Sequence, residues 1–368
     1  MTMQVPLIDL VRHHEPLFAE LETAASRVIR SGRYIFGQEV EKFEQKLAEY
    51  LGVKHAIGVG NGTDALRLAL EALKIGPGDE VITTPFTFVA TAEVIALAGA
   101  KPVFVDVEDE TLNIDPNKIE AAVTERTKAI MPVHLYGQAA DMDAIMEIAG
   151  KHRLAVIEDA AQGIGASWKD KKLGTIGTIG TLSFFPTKNL SALGDGGAVM
   201  TNDDELAHIL RTLRVHGAEG KYYHVRLGFN SRLDAIQAAF LNVKINHIDE
   251  WNEKRRSIAK RYNEGLSDVV RTPVERPENY HIFHQYTIRT DRRDELREYL
   301  KENGIATAIH YPRPLHLQPA FAYLGYKEGD FPVAERAAKE VLSLPVFPEM
   351  RDDEIDYVIQ TIRRFFGK

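Results

Sequence analysis

The stretch H-A-I-G-V-G-N-G-T-D-A-L-R-L-A-L-E-A-L, residues 55–73, reads as a strand, a turn and a helix in immediate succession. H-A-I-G-V-G is short and apolar, N-G-T-D at 61–64 turns the chain, and the leucines and alanines beyond it recur at helical spacing. A small-residue turn feeding a helix N-terminus makes an anion site, because free backbone N–H groups and the helix dipole point at one spot. Gly62, Thr63 and Asp64 lie there, and Thr63 adds a hydroxyl. The plainer alternative, that Thr63 or Asp64 only caps the helix, weighs about evenly on this segment alone. Gly58, Gly60 and Gly62 are spaced G-x-G-x-G, not the G-x-G-x-x-G of a dinucleotide site, and no acidic residue follows at the required distance. A nicotinamide-binding fold is therefore set aside.

The same unit recurs downstream. Residues 80–83 read as a strand, 86–97 as a helix opened by T-P-F-T-F-V-A-T, and 102–105 as a strand ending at Asp106. Residues 128–133 form a strand ending in H-L-Y-G, 142–152 a helix, and 154–157 a strand ending in E-D-A-A-Q. Alternating strands and helices predict an α/β fold with a mostly parallel sheet between helices. In such sheets ligands bind at the carboxyl ends of the strands. Thr63, Phe88, His134, Asp159 and Gln162 all fall at or just past such ends, so separate strands deliver them to one crevice.

Upstream, 15–30 and 39–51 read as amphipathic helices; downstream, 197–201 is a strand and 203–213 a helix. A long polar and aromatic loop follows, then a helix over 233–262 that predicts a hinge to a second unit. Beyond it the pattern changes to a strand in H-Q-Y-T-I-R-T, a helix over 293–303, a strand in A-T-A-I-H-Y, a proline-punctuated loop and two closing helices. The expected division is a large domain over 1–250 and a small C-terminal α+β domain over 251–368.

Composition narrows the function classes. Hydrophobic residues make up 44% of 368, enough for a sizeable core. Lys and Arg number 45 against 53 Asp and Glu, a net charge of −8, which offers no basic field to nucleic acid. The chain has no cysteine, which excludes disulfides, thiolate catalysis and cysteine-based metal sites. The opening M-T-M-Q-V-P-L-I-D-L lacks the features of a signal peptide, and no apolar run reaches membrane-spanning length. The expectation is a cytoplasmic protein without a membrane or nucleic-acid partner.

The chemistry centres on T-L-S-F-F-P-T-K-N-L-S-A-L-G-D-G-G, residues 181–197, where an apolar stretch bearing Ser183 runs into Lys188 on a turn and then a glycine-rich loop. A pyridoxal 5'-phosphate site needs a lysine for the imine, an anion nest for the phosphate, a carboxylate at the pyridine nitrogen and a flat group on the ring. Lys188 meets the first need, residues 61–64 with Ser183 the second, Asp159 the third and Phe88 the fourth, and Gln162 can reach the ring hydroxyl. Each has a bland alternative. Taken alone, Asp159 reads more readily as a helix N-cap and Phe88 as a core aromatic, and Gln162 has the alternative of a solvated turn residue. Their joint occurrence in this chain order outweighs the single matches.

G-N-G-T-D-A-L at 60–66, P-F-T-F-V-A-T at 85–91, P-V-H-L-Y-G at 132–137, E-D-A-A-Q at 158–162, S-F-F-P-T-K-N-L at 183–190, G-D-G-G-A at 194–198, G-F-N-S-R-L-D at 228–234 and H-Y-P-x-P at 310–314 together resemble the DegT/DnrJ/EryC1/StrS sugar aminotransferases. The resemblance runs nearly end to end and implies the aspartate-aminotransferase (fold type I) architecture. It implies Lys188 as imine lysine and proton shuttle, and Asp159 at the pyridine nitrogen. It places Gln162 by the ring oxygen and Phe88 on the ring, with Gly62, Thr63 and Ser183 on the phosphate. Asn230 would reach the phosphate of the neighbouring subunit's cofactor, so the expected state is a homodimer with shared active sites. The implied reaction moves the amine of L-glutamate to a nucleotide-linked keto sugar. H-Q-Y-T-I-R and A-I-H-Y-P-R-P-L-H-L-Q-P-A resemble the members that aminate C3, so a dTDP- or UDP-3-oxo hexose is the first expectation and a 4-oxo sugar the second. Arg232, His310, Tyr311 and His316 are expected to line the sugar cleft or else to close the domains, and Tyr136 and His134 to approach the sugar by position. A cofactor-binding regulatory protein on the same fold is the competing reading. A sugar dehydratase is disfavoured, because those relatives replace the imine lysine with histidine.

Overall fold

The computed structural model describes residues 3–368. Helices α1 (Phe18–Ser31) and α2 (Gln38–Leu51) bury Leu21, Ala24 and Val28, and Val40, Phe43, Leu47 and Leu51, as their helical spacing requires. The central sheet has seven strands: β1 (His55–Val59), β2 (Glu80–Thr83), β3 (Lys101–Phe104), β4 (Thr127–Ile130), β5 (Ala155–Asp159), β6 (Ile179–Ser183) and β7 (Gly197–Thr201), in the order β1-β7-β6-β5-β4-β2-β3. Strands β6, β5, β4, β2 and β3 pair in parallel, while β7 is antiparallel to both β6 and β1. The first six strands therefore run one way and end on one edge of the sheet.

Side-chain alternation splits the core into two layers. Ile82, Ile130, Val156, Leu182 and Met200 face one layer, with Phe43 of α2, Ile145 of α5 (Met142–His152) and Trp251. Their neighbours Val81, Ala129, Ile157 and Val199 face the other, with Leu66 of α3 (Gly62–Ala72), Val94 of α4 (Ala90–Leu97) and Leu210 of α6 (Asp204–Leu213). Both faces are covered by helices, the arrangement that strand and helix alternation predicts.

Three elements differ from their sequence reading. The helix expected over 86–97 begins at Ala90, because residues 84–89 cross the strand ends as a loop, with Thr84 Oγ1 accepting from Phe86 N. The helix expected over 233–262 breaks into α7 (Ala235–Lys244), a tight turn at Ile245–His247 and α8 (Ile248–Leu266). That turn redirects the chain: Trp251 joins the large-domain core, while Ile258, Tyr262 and Leu266 join a third cluster with Tyr286, Leu342 and Phe347. A-T-A-I-H-Y is not a strand; only Ala308 pairs, with Ser343. The partner of β8 (Tyr286–Arg289) is instead the antiparallel β9 (Val341–Leu344), a short apolar run between the two closing helices. Val5 also bridges Ile305, and it belongs to the third cluster.

Candidate active site

Three strand ends meet within van der Waals distance. Asn61 caps α3, its side chain accepting from Asp64 N at 2.8 Å. The cap is thus Asn61, not Thr63 or Asp64, and the first-turn N–H groups of Gly62 and Thr63 stay outside that bond. A Cβ on Gly62 would lie 2.7 Å from Ser183 Cβ, and one on Gly197 would lie 2.5 Å from the Asn61 carbonyl. Only glycine at both positions lets the helix end, Ser183 and the Gly-Asp-Gly-Gly loop close into one cradle of N–H and hydroxyl groups.

Asp159, the last residue of β5, is 6% exposed. Its Oδ2 accepts from Thr91 Oγ1 at 2.8 Å and its Oδ1 from Ala161 N at 3.2 Å, and no basic side chain of the described residues pairs with it. The preceding Glu158 points to the opposite face. It accepts from Gly174, Ile176 and Gly177 N and meets His134 Nε2 at 2.9 Å. Burial alone would raise the Glu158 pKa, but the hydrogen bonds of His134, Gly177 and Gly174 outweigh it and hold the carboxyl below its usual range. His134 is fully buried in this pair and does not approach the crevice.

Lys188 N donates to Phe185 O at 2.8 Å, which sets the turn. Its amine makes no hydrogen bond among the described residues. Burial pushes its pKa down to about 8, against the pull of the Asp159 carboxylate. Gln162 is held from both ends: Oε1 accepts from Tyr136 N at 2.6 Å and Nε2 donates to Tyr311 Oη at 3.3 Å. Phe88 is 56% exposed and its ring lies 6.3 Å from that of Tyr311, so it is an open face at the crevice and not a core aromatic. The Tyr136 hydroxyl donates to the His310 carbonyl. His310 has its pKa lowered to about 4 by burial and by the Lys188 charge, which makes it a neutral neighbour of the lysine.

Asn230 and Arg232 line an open hollow with Gly60, Asn61 and Asp64. His316 is a correction to the expected sugar cleft. It is 2% exposed, its Nε2 is 3.0 Å from Glu335 Oε1 and its ring packs edge-on to Phe331, so it is an internal joint of the C-terminal segment.

Residues 17–363 match the DegT/DnrJ/EryC1/StrS aminotransferase family. The chain belongs to that family. It is 58% identical over 368 residues, 99% of each chain, to a protein of Geobacillus stearothermophilus named a pleiotropic regulatory protein. It is 47% identical over 345 residues, 94% of this chain and 95% of the other, to the UDP-2-acetamido-2-deoxy-3-oxo-D-glucuronate aminotransferase of Pseudomonas aeruginosa. Its fold superposes with a TM-score of 0.98 at 45% identity, covering all of both chains, on the solved structure of S. venezuelae DesV in complex with a ketimine intermediate. The architecture is that of fold type I aminotransferases, and the protein is a transaminase.

Two residues of this aminotransferase's crevice escape a sequence reading. Thr91 lies four residues beyond Thr87, whose hydroxyl it meets at 3.1 Å, and only the bond to Asp159 reveals its place. His284 is buried with Nδ1 3.0 Å from Asn189 Oδ1, and burial followed by the Lys188 charge drives its pKa far down. It comes from the segment before β8, and nothing local in H-Q-Y-T-I-R-T marks it. No helix among the described residues is long and apolar enough to cross a membrane.

Proposed function

We propose that the enzyme transfers the amino group of L-glutamate to C3 of a nucleotide-linked 3-oxo hexose, dTDP- or UDP-bound, with pyridoxal 5'-phosphate as cofactor. The family is pyridoxal-phosphate-dependent. The observation that carries the reading is the conjunction of an unpaired Lys188 amine of lowered pKa, a buried Asp159 without a basic partner, and a cradle that a Cβ at Gly62 would fill. Those groups fit the cofactor: Gly62, Thr63 and Ser183 would hold its phosphate beside Asp64, Asp159 would pair with its ring nitrogen, and Phe88 and Gln162 would flank the ring. Bound there, pyridoxal phosphate supplies an electron sink and a carbon that exchanges amines.

The protein's own part is proton placement. Thr91 donates to Asp159 Oδ2, so the carboxylate keeps one orientation and would hold a proton on the cofactor's ring nitrogen. Lys188 Nζ, neutral in part at physiological pH, takes the proton from the Cα of the amino donor and returns it on the other side of the exchange. The neutral His310 and the Tyr136 bond to its carbonyl keep the wall beside Lys188 free of a competing charge. Arg232, His310 and Tyr311 are proposed for the sugar nucleotide, and Asn230 for the cofactor phosphate of the neighbouring subunit. The large and small domains are taken as 1–250 and 251–368.

The relative named as a regulatory protein favours a second reading, a binding protein on this fold. The intact lysine and carboxylate argue against it. Lys188→Ala is expected to abolish turnover, and wild type is expected to aminate 3-oxo sugar nucleotides faster than 4-oxo ones in a glutamate-driven panel. Turnover by Lys188→Ala, or a protein without a visible cofactor band after reconstitution, overturns the reading.

A further inference from the structure

The residue after the lysine is tied more firmly than the lysine itself. Asn189 is buried, and so is Asn252 on α8. Asn189 Nδ2 donates to Asn252 Oδ1 at 2.8 Å, and Asn252 Nδ2 donates to Ile164 O at 3.2 Å. At the other end His284 Nδ1 lies 3.0 Å from Asn189 Oδ1. A Cβ on Gly165, whose φ is +89°, would clash with Asn252 Nδ2, so only glycine lets the amide reach the Ile164 carbonyl. The run joins three segments far apart in the chain: the loop beyond Asp159 and Gln162, the lysine turn, and the segment before β8.

The polarity of the run is decided at one end. A backbone carbonyl only accepts, so the NH2 of Asn252 must face Ile164 O and its oxygen must face Asn189. Asn189 then gives its NH2 to Asn252 and its oxygen to His284, which must carry a proton on Nδ1 to satisfy it. His284 Nε2 makes no hydrogen bond among the described residues, and the ring lines a cavity of about 130 Å³ with Thr187, Arg255, Gln285 and His310. Burial, followed by the charges of Lys188, Arg255 and His310, drives the His284 pKa far down, with Glu349 acting in turn on Arg255. His284 therefore stays neutral, and its Nε2 keeps a bare lone pair.

We propose that Asn252 and Asn189 form an amide relay that fixes His284 as its Nδ1–H tautomer, and that the Nε2 lone pair so presented steadies the protonated form of the Lys188 amine. The inference rests on Lys188 as the proton carrier of the proposed reaction. A proton carrier in a buried wall has to be charged for part of each cycle. A neutral acceptor favours the ammonium without trapping it as a paired carboxylate would. The opposite tautomer would set an N–H in that wall, beside an ammonium that itself only donates. Asn189, Asn252 and His284 are positioning residues in this scheme, and Lys188 moves the proton.

The test begins with the full-length cofactor-free protein. NMR of isotope-labelled histidine reads which ring nitrogen of His284 carries the proton, and competitive labelling with acetic anhydride reads the pH midpoint of the Lys188 amine. In the wild type the proton is expected on Nδ1; a proton on Nε2 overturns the proposal without any variant. Asn252 makes no hydrogen bond to His284, so a packing role for it would leave the tautomer alone. Asn252→Leu releases the Asn189 amide. The His284 proton is then expected to divide between both nitrogens, and the Lys188 midpoint to fall by roughly half a unit to one unit. Asn252→Asp, ionised or protonated, still offers Asn189 an acceptor and is expected to keep the Nδ1–H tautomer; a reversal there overturns the proposal. In reconstituted Asn252→Leu both half-reactions should slow together by ~3- to 10-fold, because Lys188 serves both. An unmoved tautomer in Asn252→Leu, or a moved tautomer with an unmoved Lys188 midpoint, also overturns the proposal. A wild type that takes no amine from any amino acid defeats the aminotransferase reading instead, and the two cofactor-free measurements still decide the relay.

Discussion

Lys188 is held in the folded protein with a pKa of about 8, whereas an unfolded chain gives lysine about 10.4. At pH 7.5 about a quarter of its amine is neutral, against about one part in a thousand for a solvated lysine. In the proposed reaction that neutrality would serve proton transfer, and it has a structural cost. Between the two pKa values the unfolded chain binds more protons, so stability of the cofactor-free protein rises with pH from about 8 to about 10.4; below pH 8 the full penalty, ~3 kcal/mol, is present. Lys188→Met is therefore expected to stabilise the cofactor-free protein near pH 7 by ~2–3 kcal/mol and to remove its share of that slope in denaturant melts. Unchanged stability would show that the amine is solvated. Lys244, fully buried on Ser191 and His14 with its pKa lowered to about 7 by burial, contributes a slope of the same sign that this variant leaves in place. Thr91 offers a second residue-scale test. Thr91→Val keeps the shape and removes the donor to Asp159 Oδ2, so turnover should fall about ten-fold with little change in melting temperature. Full turnover would mean that the Ala161 N–H suffices to orient the carboxylate.

The proposed phosphate cradle belongs to the scale of elements, because it forms only where α3, β6 and the loop before β7 touch. Gly62→Ala places a methyl 2.7 Å from Ser183 Cβ. Overpacking of this kind costs ~1–3 kcal/mol, which should appear as a cofactor affinity weakened ~5- to 150-fold in an absorbance titration, with the helix content unchanged. An unaltered affinity would place the phosphate elsewhere. These contacts explain why much of the site was legible before any fold was known. The bounds of β2, α5 and β7 follow from their apolar runs and flanking turns, and the rule that ligands sit at parallel strand ends then groups Thr63, Asp159 and Gln162 without further information. The illegible part has one physical origin. Arg255, His284 and Gln285 line one cavity with Thr187 by contacts distant in the chain, and the helix that carries Arg255 is set off from α7 by the break at Ile245–His247. The break carries no proline or glycine in I-N-H to announce it. His316 fails for the opposite reason: its motif neighbours are at the cleft, but its own side chain turns inward to Glu335.

At the scale of the molecule, the open question is whose Asn230 serves which site. In a single chain Asn230 rims a hollow that holds its own Gly60, Asn61 and Asp64, while family resemblance assigns it to the neighbouring subunit's phosphate. The adjacent segment exposes Tyr222 at 85%, Tyr223 at 66% and Leu227 at 91%, apolar surface of the kind that association covers. Complementation separates the two arrangements. Lys188→Ala and Asn230→Ala are each made inactive or impaired, unfolded together and refolded as a mixture, so that about half of the dimers are mixed by random pairing. If Asn230 acts across the interface, the mixed dimer has one site with both lesions and one with neither, because the Asn230→Ala chain keeps its lysine and receives an intact asparagine from its partner. About a quarter of wild-type sites should then return, and the recovered activity should follow the fraction of mixed dimers on dilution and re-equilibration. If Asn230 acts within its own chain, each site of the mixed dimer carries one lesion and nothing returns beyond the sum of the parents. Recovery without dimers in sedimentation, or dimers without recovery, removes the shared site from the proposed function and leaves Lys188 and Asp159 untouched.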